Sequence, residues 1–410
     1  MPRDLVPRGA PASAAAAAAR RPETVMPRTA PAPTAEFVPA PVEPAPAPSP
    51  ETALPAGAVP AAQPAPAAVR GGRGSEFAPL LRMVREQGLL ERRAGWYARG
   101  ITVNLLILAG ITVGLVLLGP SWWSLLLAPP LALVSARMAF VAHDAGHGQI
   151  TADRRTGRLV QLVHANLLLG MSQEWWNDKH NRHHANPNHI DKDPDVAADI
   201  LVFAQHQTAG RSGLRGWLTR HQAWLFFPLT TLEGIALKVY GFQAVFSRKD
   251  NRMSGRRRIR EGLLLVTHVV GYLALLLTTL TVAQAIVFAL IHQMLLGLHL
   301  GMSFAPNHKG MEMSDPERSA DWGHLRRQVL TSRNIRGGAV TDWFLGGLNY
   351  QIEHHLFPSM PRPHLRLAQP LVRAHCARLG VPYTETGLID SYRQALGHLH
   401  EVGEPLRVGA

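Results

Sequence analysis

The stretch Gly262–Asn307, GLLLVTHVVGYLALLLTTLTVAQAIVFALIHQMLLGLHLGMSFAPN, runs for 46 residues without an Asp, Glu, Lys or Arg. One helical membrane crossing needs about 20 apolar residues, so a run this long reads as two crossings, near 262–281 and 284–304. A second run of this kind, Gly100–Ala136, is 37 residues long. It divides in the same way, into helices near 101–118 and 122–142, with Gly119-Pro120-Ser121 as the turn and Trp122 and Trp123 as anchors at the membrane surface. The expected fold is an all-α integral membrane protein, with four transmembrane helices in two hairpins and a helical cytoplasmic cap.

Composition agrees. Of 410 residues 17% are charged, against roughly 25% in soluble domains, and 46% are hydrophobic. The net charge of +13 suits a membrane face, an acidic partner or nucleic acid, and the placement of the basic residues chooses among them. Arg82, Arg85, Arg92, Arg93 and Arg99 precede the first hairpin; Arg248, Lys249, Arg252, Arg256, Arg257, Arg258 and Arg260 precede the second. Both turns are uncharged, so the positive-inside rule puts both termini and the central segment in the cytoplasm of a multi-pass cell-membrane protein. No separate basic domain with interleaved aromatics exists, and nucleic-acid binding is not expected. The single cysteine, Cys376, rules out an internal disulfide, a Cys-rich zinc site and an iron–sulfur cluster of the chain's own. Electrons for any redox chemistry must come from another molecule.

Residues 1–75 hold 17 of the 32 prolines and the alanine run Ala14–Ala19. Such a segment buries too little apolar surface to offset its ordering entropy and is expected to be disordered. The alanine run is too short for a signal-peptide core, and Met26 and Met83 are alternative starts. Within 143–261, the apolar stretch 159–171 is too short to span, and 223–246 contains Glu233 and Lys238; both read as helices lying on or dipping into the interface. After residue 308 the cap should be helical near 364–380 and 386–401.

Three histidine clusters stand out among 20 histidines. They are His143-Asp144-Ala145-Gly146-His147, His180-Asn181-Arg182-His183-His184 and Gln351-Ile352-Glu353-His354-His355. Offsets of three and four put side chains on one helix face about a turn apart, where imidazoles can converge on a metal. The topology drawn from charge alone places all three clusters at one cytoplasmic edge. His308, just past the last span, lies at the same edge as an eighth imidazole. Asp144 and Glu353 are candidate acceptors for a ligand N–H. His268, His292 and His299 fall inside spans, and His292 and His299 are half a helical turn out of phase with His308. Core hydrogen bonding is their expected role, with a polar patch in a substrate tunnel as the alternative. Imidazole suits zinc, copper, iron or nickel; zinc takes three or four ligands, whereas eight suit two ions. Two metals at a membrane edge, with no internal electron carrier, point to iron and dioxygen.

In order, HDAGH, HNRHH and QIEHH resemble the HxxxH, HxxHH and H/QxxHH boxes of the membrane-bound fatty acid desaturases. Neighbouring words match too: Glu174-Trp175-Trp176, His184-Ala185-Asn186-Pro187-Asn188, Asp193-Pro194-Asp195, Phe304 through Gly310, and Gly346-Gly347-Leu348-Asn349-Tyr350 running into Leu356-Phe357-Pro358. The resemblance covers about residues 77–380. It implies a tail (1–75), a desaturase domain (76–380) and a C-terminal cytoplasmic helix and tail (381–410).

Gln351 in the third box is similar to the front-end and acyl-CoA or acyl-lipid subgroup. The HPGG haem motif of a fused cytochrome domain does not occur, so the double-bond position stays open. The resemblance further implies two iron ions held by His143, His147, His180, His183, His184, His308, His354 and His355, with O2 as co-substrate. Gln351 would be a nearby polar contact, and Ser303 or Asn307 would stand in for a polar residue of the last span where this chain has Phe304. Trp175 and Trp176 are candidates for the tunnel mouth. Implied partners are a fatty acyl-CoA or acyl-lipid, membrane lipid, and a separate ferredoxin or flavin/iron–sulfur NAD(P)H oxidoreductase. A hydroxylase on the same histidine framework is the alternative. A metal transporter is a remote one, because it should carry ionisable residues at the bilayer midplane.

Overall fold

The computed structural model describes residues 75–247, 253–315, 317 and 319–408. The proline-rich tail up to residue 74, and Arg248, Lys249 and Arg252, lie outside the described residues. Helix α1 (Phe77–Glu86) precedes α2 (Ala94–Leu118), the first of four helices long and apolar enough to cross a membrane. The second, Trp122–Gly146, opens with a 3-10 turn (Trp122–Leu127) and continues as α3 (Ala128–Gly146). α4 (Arg154–Leu162) runs into a π-helical segment (Val163–Leu169), and α5 (Gln173–Ala185) follows. Next come α6 (Gly213–Arg220), α7 (Gln222–Thr230) and α8 (Glu233–Phe246). The last two spans are α9 (Gly255–Thr279) and α10 (Val282–His308).

Burial separates the spans into two kinds. About 61% of the apolar window of Trp122–Gly146 and 50% of that of α10 is buried, against 17% each for α2 and α9. Leu106 and Leu117 on α2, and Leu263 and Leu277 on α9, face outward, as lipid-facing positions do. α10 packs chiefly on α3, while α9 packs on the π-helical segment and α8. α2 packs on α3 within the first expected hairpin, whereas α9 meets α10 at few points, and the inner pair, α3 and α10, comes from different hairpins. Ile111, Leu115, Val134, Met138, Leu276 and Phe288 form the core between the spans.

The ends of these helices have local causes. Gly119, at φ 54°, stops α2 ahead of Pro120. Thr281 caps α10, its hydroxyl accepting from the Gln284 amide while the Gln284 side chain accepts from the Thr281 N–H. The same Gln284 donates to the Pro120 carbonyl at 2.9 Å, tying the two turns together. α10 runs to His308, four residues beyond the expected end, and α3 runs to Gly146. Both inner spans therefore carry site histidines on their own last turns.

The stretch 223–246 is not one helix but two, α7 and α8, bent by 72° at the break. Here α8 closes on α10 through glycines: a Cβ on Gly297 would lie 2.5 Å from the Thr231 carbonyl and 2.8 Å from the Gly234 amide. Such backbone approach is open only to small residues.

The cap comprises α11 (His324–Leu330), β1 (Asn334–Ile335), α12 (Ala339–Phe344), α13 (Gln351–Leu356), α14 (Arg362–Arg378), β2 (Glu385–Thr386), α15 (Leu388–Val402) and α16 (Pro405–Val408). The two short strands pair in parallel, Asn334 with Glu385 and Ile335 with Thr386. Leu80 and Val84 of α1 join Ile352, Leu356, Leu365, Val372 and Cys376 in the cap core. Gly346 and Gly347, at φ 63° and 79°, turn the chain into α13 where a Cβ would strike Phe140 or Arg362 at 2.5 Å.

Gly297→Ala is expected to destabilise the protein by about 1–3 kcal/mol through overpacking. Thermal unfolding in detergent measures it as a lowered melting temperature, while the same change at Gly271, where a Cβ meets nothing within 4 Å, should leave the melting temperature near wild type.

Candidate metal centre

Four elements bring the histidines together: the end of α3 (His143, with His147 just beyond), α5 (His180, His183, His184), the end of α10 (His308) and α13 (Gln351, His354, His355). They fall into two groups. In one, a ring nitrogen from each of His143, His147, His180, His184 and His354 lies within 4.8 Å of every other; in the second, His183, His308 and His355 meet the same limit. His184 and His355 join the groups, their rings stacked at 4.2 Å.

The nitrogens left over decide what this arrangement can hold. His143 Nε2, His355 Nε2, His184 Nδ1 and both nitrogens of His354 are buried without a hydrogen-bond partner. The Nε2 atoms of His147 and His184 lie 2.9 and 3.1 Å from that of His180, and one proton on His180 cannot serve both contacts. Burying unpartnered polar atoms is costly. Converging lone pairs of neutral imidazoles are, by contrast, a ready donor set for a cation. Burial first, and neighbouring imidazoles second, push His147, His180, His184, His354 and His355 well below the ordinary histidine pKa. Neutral rings are the form that binds metal.

A sequence model described as fatty acid desaturase matches residues 120–387. The chain belongs to the fatty acid desaturase family. It is 31% identical over 333 residues to fatty acid desaturase 3 of Bos taurus, covering 78% of this chain and 71% of the relative. Over 312 residues it is 29% identical to delta(8)-fatty-acid desaturase 2 of Arabidopsis thaliana, covering 73% and 68%. Over 344 residues it is 28% identical to delta(6)-fatty-acid desaturase fat-3 of Caenorhabditis elegans, covering 82% and 76%. The protein is thus an oxidoreductase of fatty acyl chains that draws on an electron donor, set in a membrane. Histidine clusters that hold two irons are a mark of this family, and the two groups here have the donors for them.

On four of the desaturase histidines the Nδ1 side is occupied. Asp144 accepts from His143 at 2.9 Å and is held in turn by Tyr97 and Arg362. Asp193 accepts from His183 at 2.9 Å, the Thr331 carbonyl from His308 at 3.0 Å, and Gln328 Oε1 from His355 at 2.9 Å. Burial opposes charge on His183, but Asp193 and Asp195 outweigh it and hold its pKa above the ordinary value. Gln351 places its amide 2.9 Å from His308 Nε2, and Asn307 reaches the cluster only through Gln351.

Glu353 differs from its expected place. Its carboxylate accepts from Asn334 and Tyr383, both at 2.7 Å, rather than from an imidazole, because successive residues on α13 point about 100° apart. Burial pushes it up to about 7. Trp176 stacks on His180 at 4.3 Å, whereas Trp175 stacks on Tyr240 at 5.7 Å, away from the histidines.

His292 bonds to Ser135 and Tyr272, His299 to the Phe344 carbonyl and His268 to the Leu167 carbonyl. None of the three joins either histidine group. Sequence reasoning gave no role to Asp193, Gln328, Thr331, Tyr97 or Arg362. Only the Asp193-Pro194-Asp195 word, close after the second box, carried a signal.

Proposed function

We propose that the chain is an O2-dependent di-iron desaturase that introduces a cis double bond into a fatty acyl chain carried on CoA or on a membrane lipid. Its electrons come from a separate ferredoxin or flavin/iron–sulfur NAD(P)H oxidoreductase. The observation that carries this reading is the division of eight converging imidazoles into groups of five and three, with buried nitrogens left unpartnered. His143, His147, His180, His184 and His354 would hold one iron, and His183, His308 and His355 the other. The chemistry supplied by a bound iron pair is the reductive activation of dioxygen, needed because an unactivated methylene has no acidic proton for acid–base catalysis.

The chain's own residues aim and shield. Acceptors opposite Nδ1 keep the proton there on His143, His183, His308 and His355, which leaves Nε2 for the metal. Gln351 presents its amide beside the second group, held by Asn307. Trp176, against His180 and His143, walls one side of the first group and would line the approach of the acyl chain there, with Trp175 farther out against Tyr240.

We place both termini and the cap in the cytoplasm of a cell-membrane protein. Arg99 near the start of α2 and Arg256–Arg260 at the start of α9 contrast with the uncharged turns that Gln284 ties together. The working unit is taken as 76–380, with 381–410 as its C-terminal extension and 1–75 as a dispensable tail.

The test is gas chromatography with mass spectrometry of fatty acids, double bonds mapped, in cells co-expressing a reductase with wild type, His354→Ala or His183→Ala. A new double bond with wild type alone, at equal membrane insertion, is expected, and its position reports the regiochemistry. Full activity in either variant would sink the ligand assignment.

Asp193→Asn should weaken binding of the iron on His183 by about 10–100-fold, measured as iron per chain after dialysis. Deleting residues 1–70 should leave the new double bond at its wild-type level in the same assay.

A further inference from the structure

α15 begins at Leu388, one residue beyond the segment matched by the family, yet it touches the helix that ends in His308. Two residues before His308 stands Pro306, inside α10. Proline has no N–H, so the carbonyl four residues back, that of Met302, loses its helical partner. The hydroxyl of Tyr392, on α15, donates to that carbonyl at 2.6 Å.

The following carbonyls are also orphans of a helix end, and each is taken. Arg333 donates from Nε to the Pro306 carbonyl at 2.7 Å and from its backbone N–H to the Asn307 carbonyl at 2.9 Å. Asn188 donates to the His308 carbonyl at 2.9 Å, and Arg333 Nη2 to that of Lys309. Arg333 is fully buried, a cation at the negative end of the α10 dipole. Its remaining arm, Nη1, donates to the Gln394 side chain, again on α15. Gly310, at φ 79°, passes so near that a Cβ would lie 2.8 Å from the Gln394 carbonyl.

We propose that Tyr392 and Gln394 are positioning residues: through the Met302 carbonyl and Arg333 they hold the proline-broken last turn of α10, and with it His308, in register with His183 and His355. This rests on the reading of His308 as an iron ligand. The C-terminal helix then belongs to the frame of the metal centre, although no residue of it touches an imidazole of either histidine group.

The test uses the full chain as wild type, Tyr392→Phe, Pro306→Ala and the double variant. Tyr392→Phe keeps the ring that packs on Phe227 at 5.5 Å and removes only the donor. Expected are an unchanged melting temperature, dissociation of the more weakly held iron raised at least about 10-fold, and an altered Mössbauer spectrum of one iron site. Adding Pro306→Ala should restore the iron and the spectrum, because an amide N–H at 306 takes over the Met302 carbonyl.

A structural role alone would not be rescued in this way. Tyr392→Phe with two irons and the wild-type spectrum would overturn the proposal, and so would an iron loss that Pro306→Ala leaves unrepaired. Hydrogen exchange across residues 302–308 reads the clamp without metal: at least tenfold faster in Tyr392→Phe, and slow again in the double variant. A wild type that binds no iron while this exchange pattern holds would overturn the di-iron reading and leave the clamp standing; unchanged exchange would overturn the clamp.

Discussion

Crowding eight imidazoles, five of them buried, into one small space is the constraint on which the rest of the structure depends. Each ring has two nitrogens to satisfy, and a neutral ring can donate from only one. The protein settles this by giving four Nδ1 atoms fixed acceptors, namely Asp144, Asp193, Gln328 and the Thr331 carbonyl. Of the opposite nitrogens, those of His143 and His355 are left without a hydrogen-bond partner, and that of His308 meets the Gln351 amide. Two of those acceptors are carboxylates that are themselves held, Asp144 by Tyr97 and Arg362 and Asp193 by the Asn188 amide. Rings fixed in this way lose little freedom when a ligand arrives, which is what preorganisation requires.

The fold was legible wherever apolar length decided it. Charge-free runs of 37 and 46 residues have few alternatives to membrane helices, and the three boxes announce themselves by spacing. The helix ends were less legible. α10 extends through Pro306 to His308 because Arg333 and Asn188 supply donors from 27 and 120 residues away, and no local pattern encodes those meetings. The bend between α7 and α8 was hidden for a similar reason: Gly234 and Gly297 look ordinary until they face each other.

At the site, the histidines were legible and most of their supports were not. A ligand box is local in sequence, so its periodicity can be read. Its hydrogen-bond acceptors come from wherever the chain returns, as Gln328 does for His355 and Thr331 for His308. Asp144 was found because it adjoins His143. By the same proximity argument Glu353 looked equivalent to Asp144, yet α13 turns its carboxylate toward Tyr383 and Asn334. Adjacency puts a carboxylate near a ligand, and only helix phase decides whether the two meet.

Helix phase is also what the membrane part must deliver, and lipid offers little help with it. Between apolar helices in hydrocarbon there is no hydrophobic force to select one rotation over another, so packing of small residues and polar contacts must do so. α10 has such contacts along its length: Gln284 to the Pro120 carbonyl, His292 to Ser135 and Tyr272, Gly297 against Gly234, and His299 to the Phe344 carbonyl. At about 100° per residue, a slip of one position anywhere along it would turn His308 away from His183. His292 and His299, which stand outside both clusters, thus serve the cluster by helping to set the rotation of the helix that carries His308 to it.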